Sequence, residues 1–342
     1  MSRPLDFIVF GIPRSGTKGL VRALNRHPYI YCAMERFGFR DDHSRIKFPH
    51  SFVDRRGLFD KHDLDKVSRI EKDLASKPDV RSVGNKLPRY YLALDHINRE
   101  VPSLKNVWIY RSPFDFMQSW NRREESQKSR WRAGQVGLFG LLELFYCIQS
   151  VLRLPKDVLL FPYDSGLNRS VEPVLETCDY LGQSPDEFDR AAYEGQLATS
   201  PLATAHRRPP EPYELKILET LRVRDLDVIL THSNTIMLSQ VSHRLSAYLE
   251  GIRPLITPAF DRAVQTCPNT AIQSYGVEFF QRNRREIAPY LTLTQGSATV
   301  GAFNRTGAYR RLGFLLGQRK ALIRRITSLR FSGRKFLPTP RA

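Results

Sequence analysis

Gly11 and Gly16 stand five residues apart directly after the apolar run FIVF, in the stretch GIPRSGTKG at 11–19. Glycines at that spacing behind a strand let the chain turn into a helix with several backbone N–H groups facing one point, which is the chemistry of phosphate binding. The nucleotide-hydrolysing form of the pattern continues G-K-[ST], with lysine on the β- and γ-phosphates and the hydroxyl on Mg²⁺. Here the order is reversed: Thr17 takes the lysine position and Lys18 the metal-ligand position. A protonated lysine has no lone pair for Mg²⁺, so fixed cations must neutralise the anion, and Arg14 lies inside the turn to do so. Ser15, Gly16 and Thr17 complete the cradle. Lys18 either adds a charge to it or points to solvent.

A second anion site is written in VWIYRSPFDFMQSWNRR at 107–123. Arg111 follows a strand-like run, Ser112 suits a helix N-cap, Pro113 the first helical position, and Asp115 completes an S-x-x-D capping pattern. Asp115, Ser119 and Arg123 then recur every four residues and share one helical face. We read Asp115 as a cap, and Arg111, Ser119 and Arg123 as converging on one phosphate, with a guanidinium fork as main donor.

Strand-G-x-P-R-S-G-T together with R-x-x-x-x-x-x-x-S resembles the donor-binding signatures of the sulfotransferases, over about residues 5–190. The resemblance implies transfer of a sulfuryl group from 3′-phosphoadenosine 5′-phosphosulfate to an acceptor without a metal. It places the 5′-phosphosulfate on the first loop and the 3′-phosphate on Arg111 and Ser119. Arg123 matches an extra arginine of the tyrosylprotein and related carbohydrate sulfotransferases. Tyr163, in FPYDSGL, matches a family element that follows the fifth strand, where it either stacks near the adenine or packs the core.

Sulfuryl transfer also needs a base for the acceptor hydroxyl. Cytosolic small-molecule members take it from the histidine of K-T-H-L-P. This chain has GNKLP at 84–88, with Lys86 at that position, and a lysine protonated at neutral pH stabilises charge rather than accepting a proton. Glu35, in HPYIYCAMERF, matches the catalytic glutamate of tyrosylprotein and bacterial glycolipid sulfotransferases, whose N-K-x-P lysine matches Lys86. The resemblance thus implies Glu35 as general base, with Lys86 and Arg14 stabilising the transferring group. A surface ion pair of Glu35 with Arg36 is the alternative. His27 reads as a helix C-terminal cap, and His43, His50, His62 and His96 show no partner in the sequence.

Strand-like runs at 5–10, 29–33, 80–84, 106–110 and 157–162 alternate with helical patterns at about 16–26, 63–76, 89–100, 113–123, 136–153 and 170–182. Such alternation predicts an α/β fold: a P-loop NTPase-like three-layer sandwich around a central parallel sheet, with a mainly helical C-terminal region. Ligands of open parallel sheets bind beyond the carboxyl ends of the strands, where every motif above begins. The predicted organisation is a donor-binding domain at 1–200, a proline-rich linker at 201–212 and a basic helical region of unassigned role at 213–342. Residues 37–59 mix aromatics and charges without periodicity and read as an acceptor-facing loop or a long connection.

The formal charge of +18 and pI near 10.0 favour anionic partners. Residues 287–342 hold 11 Lys or Arg and no acidic residue, more than half of the excess. Within them 309–331 carries apolar residues at helical spacing amid arginines, as an interfacial helix does, so the tail reads as a solvated extension or as a peripheral membrane contact. No nucleic-acid motif accompanies the charge. The run at 136–152 falls short of the length that spans a bilayer and reads as a buried helix. Cys32, Cys147, Cys178 and Cys267 are too scattered for a zinc site or a disulfide framework. With the loop beginning at Gly11, no signal peptide precedes it and a cytoplasmic chain is expected. The expected function is a sulfotransferase making an O-sulfate ester on a carbohydrate, glycolipid or other hydroxylated metabolite. The rivals are a P-loop kinase, or a basic polyanion- or membrane-binding protein with a vestigial nucleotide site.

Overall fold

The computed structural model describes residues 3–38, 41–55, 61–77, 79–125, 137–199 and 210–266, all within one compact unit. The basic tail, the 309–331 pattern, Cys267 and most of the proline-rich stretch lie outside the described residues.

Six strands form one sheet: β1 (Phe7–Phe10), β2 (Ile30–Met34), β3 (Ser82–Lys86), β4 (Lys105–Tyr110), β5 (Leu159–Pro162) and β6 (Ile236–Met237). Their order is β2-β3-β1-β4-β5-β6. The first five pair in parallel, with Val9 opposite Lys86 and Val107. Parallel strands need crossovers, and these are helical: α1 (Thr17–Leu24), α2 (His50–Val53), α3 (Lys61–Ala75), α4 (Leu94–Glu100), α5 (Pro113–Glu125) and α6 (Gly137–Leu152); α7 (Tyr163–Asn168) and α8 (Glu172–Tyr180) come after β5. α9 (Arg190–Thr199), α10 (Pro212–Thr220), α11 (Val223–Leu230) and α12 (Ser242–Thr266) follow.

Alternate strand residues face opposite layers. Phe7, Val9, Cys32, Val107, Ile109 and Phe161 pack with Leu20, Val21 and Leu24 of α1 and Val174 and Cys178 of α8. The other set, including Ile8, Phe10, Tyr31 and Trp108, is equally buried. α6 packs against α4, α5 and α12, and α10 and α11 pack against α12. The result is the expected three-layer sandwich. Among the described residues beyond the proline-rich stretch, 210–266, helices α10, α11 and α12 predominate, but the chain also returns to the sheet there: β6 pairs antiparallel with β5. A two-residue strand gives too little alternation to be seen in sequence.

The helix expected over 89–100 is broken. A tight 3₁₀ turn at Pro88–Leu92 with a non-helical Arg89 precedes α4. Residues two apart on a regular helix point to opposite sides, yet Arg89 and Tyr91 both donate to the Glu143 carboxylate of α6, Arg89 Nη2 at 2.6 Å. The irregular turn makes that shared acceptor reachable. Glu143, an interruption of the most apolar segment, thereby has its charge matched. Leu138, Leu141, Leu142, Leu144, Phe145, Cys147, Ile148 and Val151 of α6 are buried, and no helix among the described residues is long and apolar enough to cross a membrane. Cys32, Cys147 and Cys178 are buried and unbridged.

Candidate active site

β1 delivers the chain into the glycine turn at the centre of the sheet. Arg14 (φ 76°) and Gly16 (φ 99°) adopt left-handed conformations there, a backbone pattern that turns successive N–H groups toward one concavity. Gly16 can carry no side chain, since a Cβ would lie 2.2 Å from the Tyr163 ring. At Gly11 a Cβ would meet the Ile109 carbonyl at 2.6 Å. α1 starts at Thr17 with no side-chain cap and no acidic residue in its first turn, so its first N–H groups and dipole face the loop uncompensated by protein charge.

The second signature closes on the first. Arg14 Nε donates to Ser119 Oγ at 2.9 Å, and Arg111 Nη1 donates to the Arg14 carbonyl at 3.2 Å. The Arg111 guanidinium also lies over the Tyr163 ring, 4.5 Å from its centroid. Arg14, Gly16, Arg111, Ser119 and Tyr163 therefore meet directly. Two buried donors of this cluster, Ser15 Oγ and Arg111 Nε, have no partner among the described residues. Buried polar atoms are ordinarily satisfied, and these two are exceptions. Thr17 is buried beside them and Lys18 is exposed on the first turn of α1. Arg123 falls in the last turn of α5, and its side chain lies outside the described residues.

On the opposite flank, β2 and β3 end in the second cluster. Lys86 Nζ donates to Glu35 Oε1 at 2.6 Å. The lysine side chain is 4% exposed and the glutamate 47%, so a buried ammonium supports a carboxylate that opens to solvent. Glu35 has φ 57°, a strained choice for a residue with a side chain. Its N–H donates to the Lys86 carbonyl at 2.7 Å, and Asn85 Oδ1 accepts from Arg36 N at 3.1 Å and Phe37 N at 3.4 Å. Those bonds hold the turn. Arg36 does not pair with Glu35: its guanidinium donates to the carbonyls of Ser51, Phe52 and Asp54. The described parts of 37–59 are thereby pinned, with Phe52 buried against Phe37 and Phe48. The two clusters adjoin through the Gly11 N–H, which donates to the Pro88 carbonyl at 3.1 Å.

Sequence reasoning passed over several supporting residues. Trp120, next to Ser119 in the quoted motif, donates Nε1 to the Pro13 carbonyl at 2.7 Å and ties α5 to the glycine turn. Asn85 lies inside GNKLP, one residue past the strand expected at 80–84, and the structure carries that strand on through Lys86. Asp227 of α11, which accepts from Tyr110 and Ser112, is more than a hundred residues away and left no signal. His27 donates Nε2–H to the Ser184 carbonyl and accepts the Tyr29 N–H on Nδ1, so it fastens a helix end. Burial lowers its pKa.

Comparison with known proteins bears on the family. Residues 6–147 match the sequence model of the sulfotransferase family. Nodulation protein NoeE of Sinorhizobium fredii is 28% identical over 124 residues, covering 32% of this chain and 30% of that protein. The chain therefore matches under a third of the length of that relative. A sulfotransferase structure from Alicyclobacillus acidocaldarius aligns at 16% identity and TM-score 0.34, covering 76% of this chain and 94% of that one. Sulfotransferase STF9 from Mycobacterium avium aligns at 16% identity and TM-score 0.33, covering 58% and 68%.

Proposed function

We propose that the protein transfers a sulfuryl group from 3′-phosphoadenosine 5′-phosphosulfate to a hydroxyl of a carbohydrate, glycolipid or other hydroxylated metabolite. The observation that carries this reading is the direct contact of Arg14, Ser119, Arg111 and Tyr163 around two buried donors that have no protein acceptor. The glycine turn would hold the 5′-phosphosulfate, and Arg111 with Ser119 the 3′-phosphate.

In this proposal the acceptor oxygen forms a bond to sulfur while the bond from sulfur to the 5′-phosphate oxygen breaks. The acceptor proton passes to Glu35, and the electron pair of the broken bond stays on the phosphate. Negative charge grows on that oxygen, and preorganised donors aimed at it lower the barrier. Arg14 and the turn N–H groups supply them. An ammonium has three donors, so Lys86 can keep one on Glu35 Oε1 and turn another toward the transferring group. Arg36 and the aromatic cluster of Phe37, Phe48 and Phe52 would give the acceptor a fixed wall beside the base.

Calorimetry with 3′-phosphoadenosine 5′-phosphate and with AMP, both in chelator, tests the donor, and Glu35→Gln tests the base. The expected result is metal-independent binding that favours the 3′-phosphorylated nucleotide, with the variant binding it normally but losing turnover. Nucleoside triphosphate binding that requires Mg²⁺ would favour a kinase, and undiminished turnover in the variant would remove Glu35 as base.

A further inference from the structure

Arg111 is flanked by two hydroxyl residues that share one acceptor. Tyr110 OH donates to Asp227 Oδ1 at 2.6 Å and Ser112 Oγ donates to Asp227 Oδ2 at 2.8 Å. In extended chain, side chains one residue apart point to opposite sides. With Tyr110 and Ser112 held on one side by a single carboxylate, Arg111 must leave from the other, toward the Arg14 carbonyl and the Tyr163 ring. Ser112 has a second task, because its Oγ also accepts the Phe114 N–H at 3.3 Å and so caps α5, the helix that carries Ser119.

Asp227 thus references both ligands of the second anion site to one point. It comes from α11, well outside the family-matched residues 6–147. α10 repeats the theme: the fully buried Glu214 accepts from Asn121 Nδ2 of α5 at 2.7 Å. A carboxylate withdrawn from water is costly unless it is hydrogen-bonded. The two hydroxyl donors both satisfy Asp227 and make its position exact to within hydrogen-bond tolerance, which a packing residue would not require.

We propose that Asp227 is a positioning residue for the donor's 3′-phosphate, aiming Arg111 and anchoring the helix of Ser119 through a two-armed clamp on Tyr110 and Ser112. This rests on the donor reading given above. It assigns a task to the part of the chain beyond the proline-rich stretch: that part holds one end of the donor site in register with the other.

The test compares affinities for 3′-phosphoadenosine 5′-phosphate and for AMP in the full chain. Asp227→Ala should weaken the first about tenfold, equivalent to about 1.4 kcal/mol, and leave AMP essentially unchanged. Asp227→Asn, which keeps one acceptor, should recover part of the loss. Should Asp227→Ala not fold, Tyr110→Phe and Ser112→Ala each remove one arm while keeping the carboxylate, and each should narrow the preference. If the wild type prefers the 3′-phosphorylated nucleotide and these variants keep that preference, or weaken both nucleotides alike, the positioning role is wrong and the donor reading stands. If the wild type shows no preference, the donor reading falls and this role with it.

Discussion

The Glu35–Lys86 pair is asymmetric, and its asymmetry predicts which half the fold depends on. Lys86 is 4% exposed and Glu35 47%, with 2.6 Å between Nζ and Oε1. Removing the glutamate's charge strands an ammonium inside the protein. Breaking a buried pair from that side costs about 3–5 kcal/mol. In Glu35→Gln the amide oxygen still accepts one hydrogen bond, worth about 1 kcal/mol, so the expected loss is about 2–4 kcal/mol. Removing the lysine leaves a carboxylate half in water, the situation of a surface pair worth about 0–1 kcal/mol. Methionine also fills much of the space of the lysine stem, so Lys86→Met should cost about 1 kcal/mol or less. Equilibrium urea unfolding of the two variants without nucleotide measures the difference, provided the slopes match that of the wild type. Equal losses, or a larger one for Lys86→Met, would refute the reasoning. They would mean that the pair is not held as a buried cation under an open carboxylate.

Two other perturbations follow from the same geometry. Gly16→Ala should cost about 1–2 kcal/mol for the left-handed backbone alone, and should weaken nucleotide binding further because its Cβ would displace the Tyr163 ring that Arg111 lies over. Thermal denaturation with and without 3′-phosphoadenosine 5′-phosphate checks both parts, and a variant as stable and as tightly bound as wild type contradicts the turn. Burial lowers the imidazole pKa of both His27 and His43 from the ordinary 6.5, so below that pH the unfolded chain binds more protons than the folded one. Stability should therefore fall as the pH drops through 6.5, by at most about 1.4 kcal/mol per pH unit for each histidine. His43→Gln should flatten this slope in urea unfolding between pH 5 and 7, and an unchanged slope would clear His43 of any part in it.

Local chemistry made the first half of the chain readable. Apolar runs as complete as FIVF are those of strands covered on both faces, and a glycine turn behind one can lead only into a helix that faces its own anion site. The S-P-x-D start of α5 is written in four residues, and Arg111, Ser119 and Trp120 are fixed once that helix is placed. Pairing is another matter. The sequence offered Glu35 a paired cation only in Arg36, and it is the register of β2 on β3, Met34 opposite Lys86, that brings Lys86 within reach. Arg36 turns to three backbone carbonyls instead, a preference that depends on where residues 51–54 lie. The irregular turn at 88–92 escaped because its cause, Glu143, is fifty residues away, and Asp227 escaped for the same reason. Contacts made by single polar side chains across long separations leave no periodicity behind.

The order of the strands sorts the residues in space. β1 and its loop stand in the middle, β2 and β3 with Glu35 and Lys86 lie to one side, and β4 and β5 with Arg111 and Tyr163 lie to the other. On the proposed function, a lineage built on this plan could remodel the Glu35 side for a new recipient molecule while the Arg111 side keeps its hold on the same activated one. The shared middle is where such a chain has least freedom to drift, because a change there is felt by both sides at once.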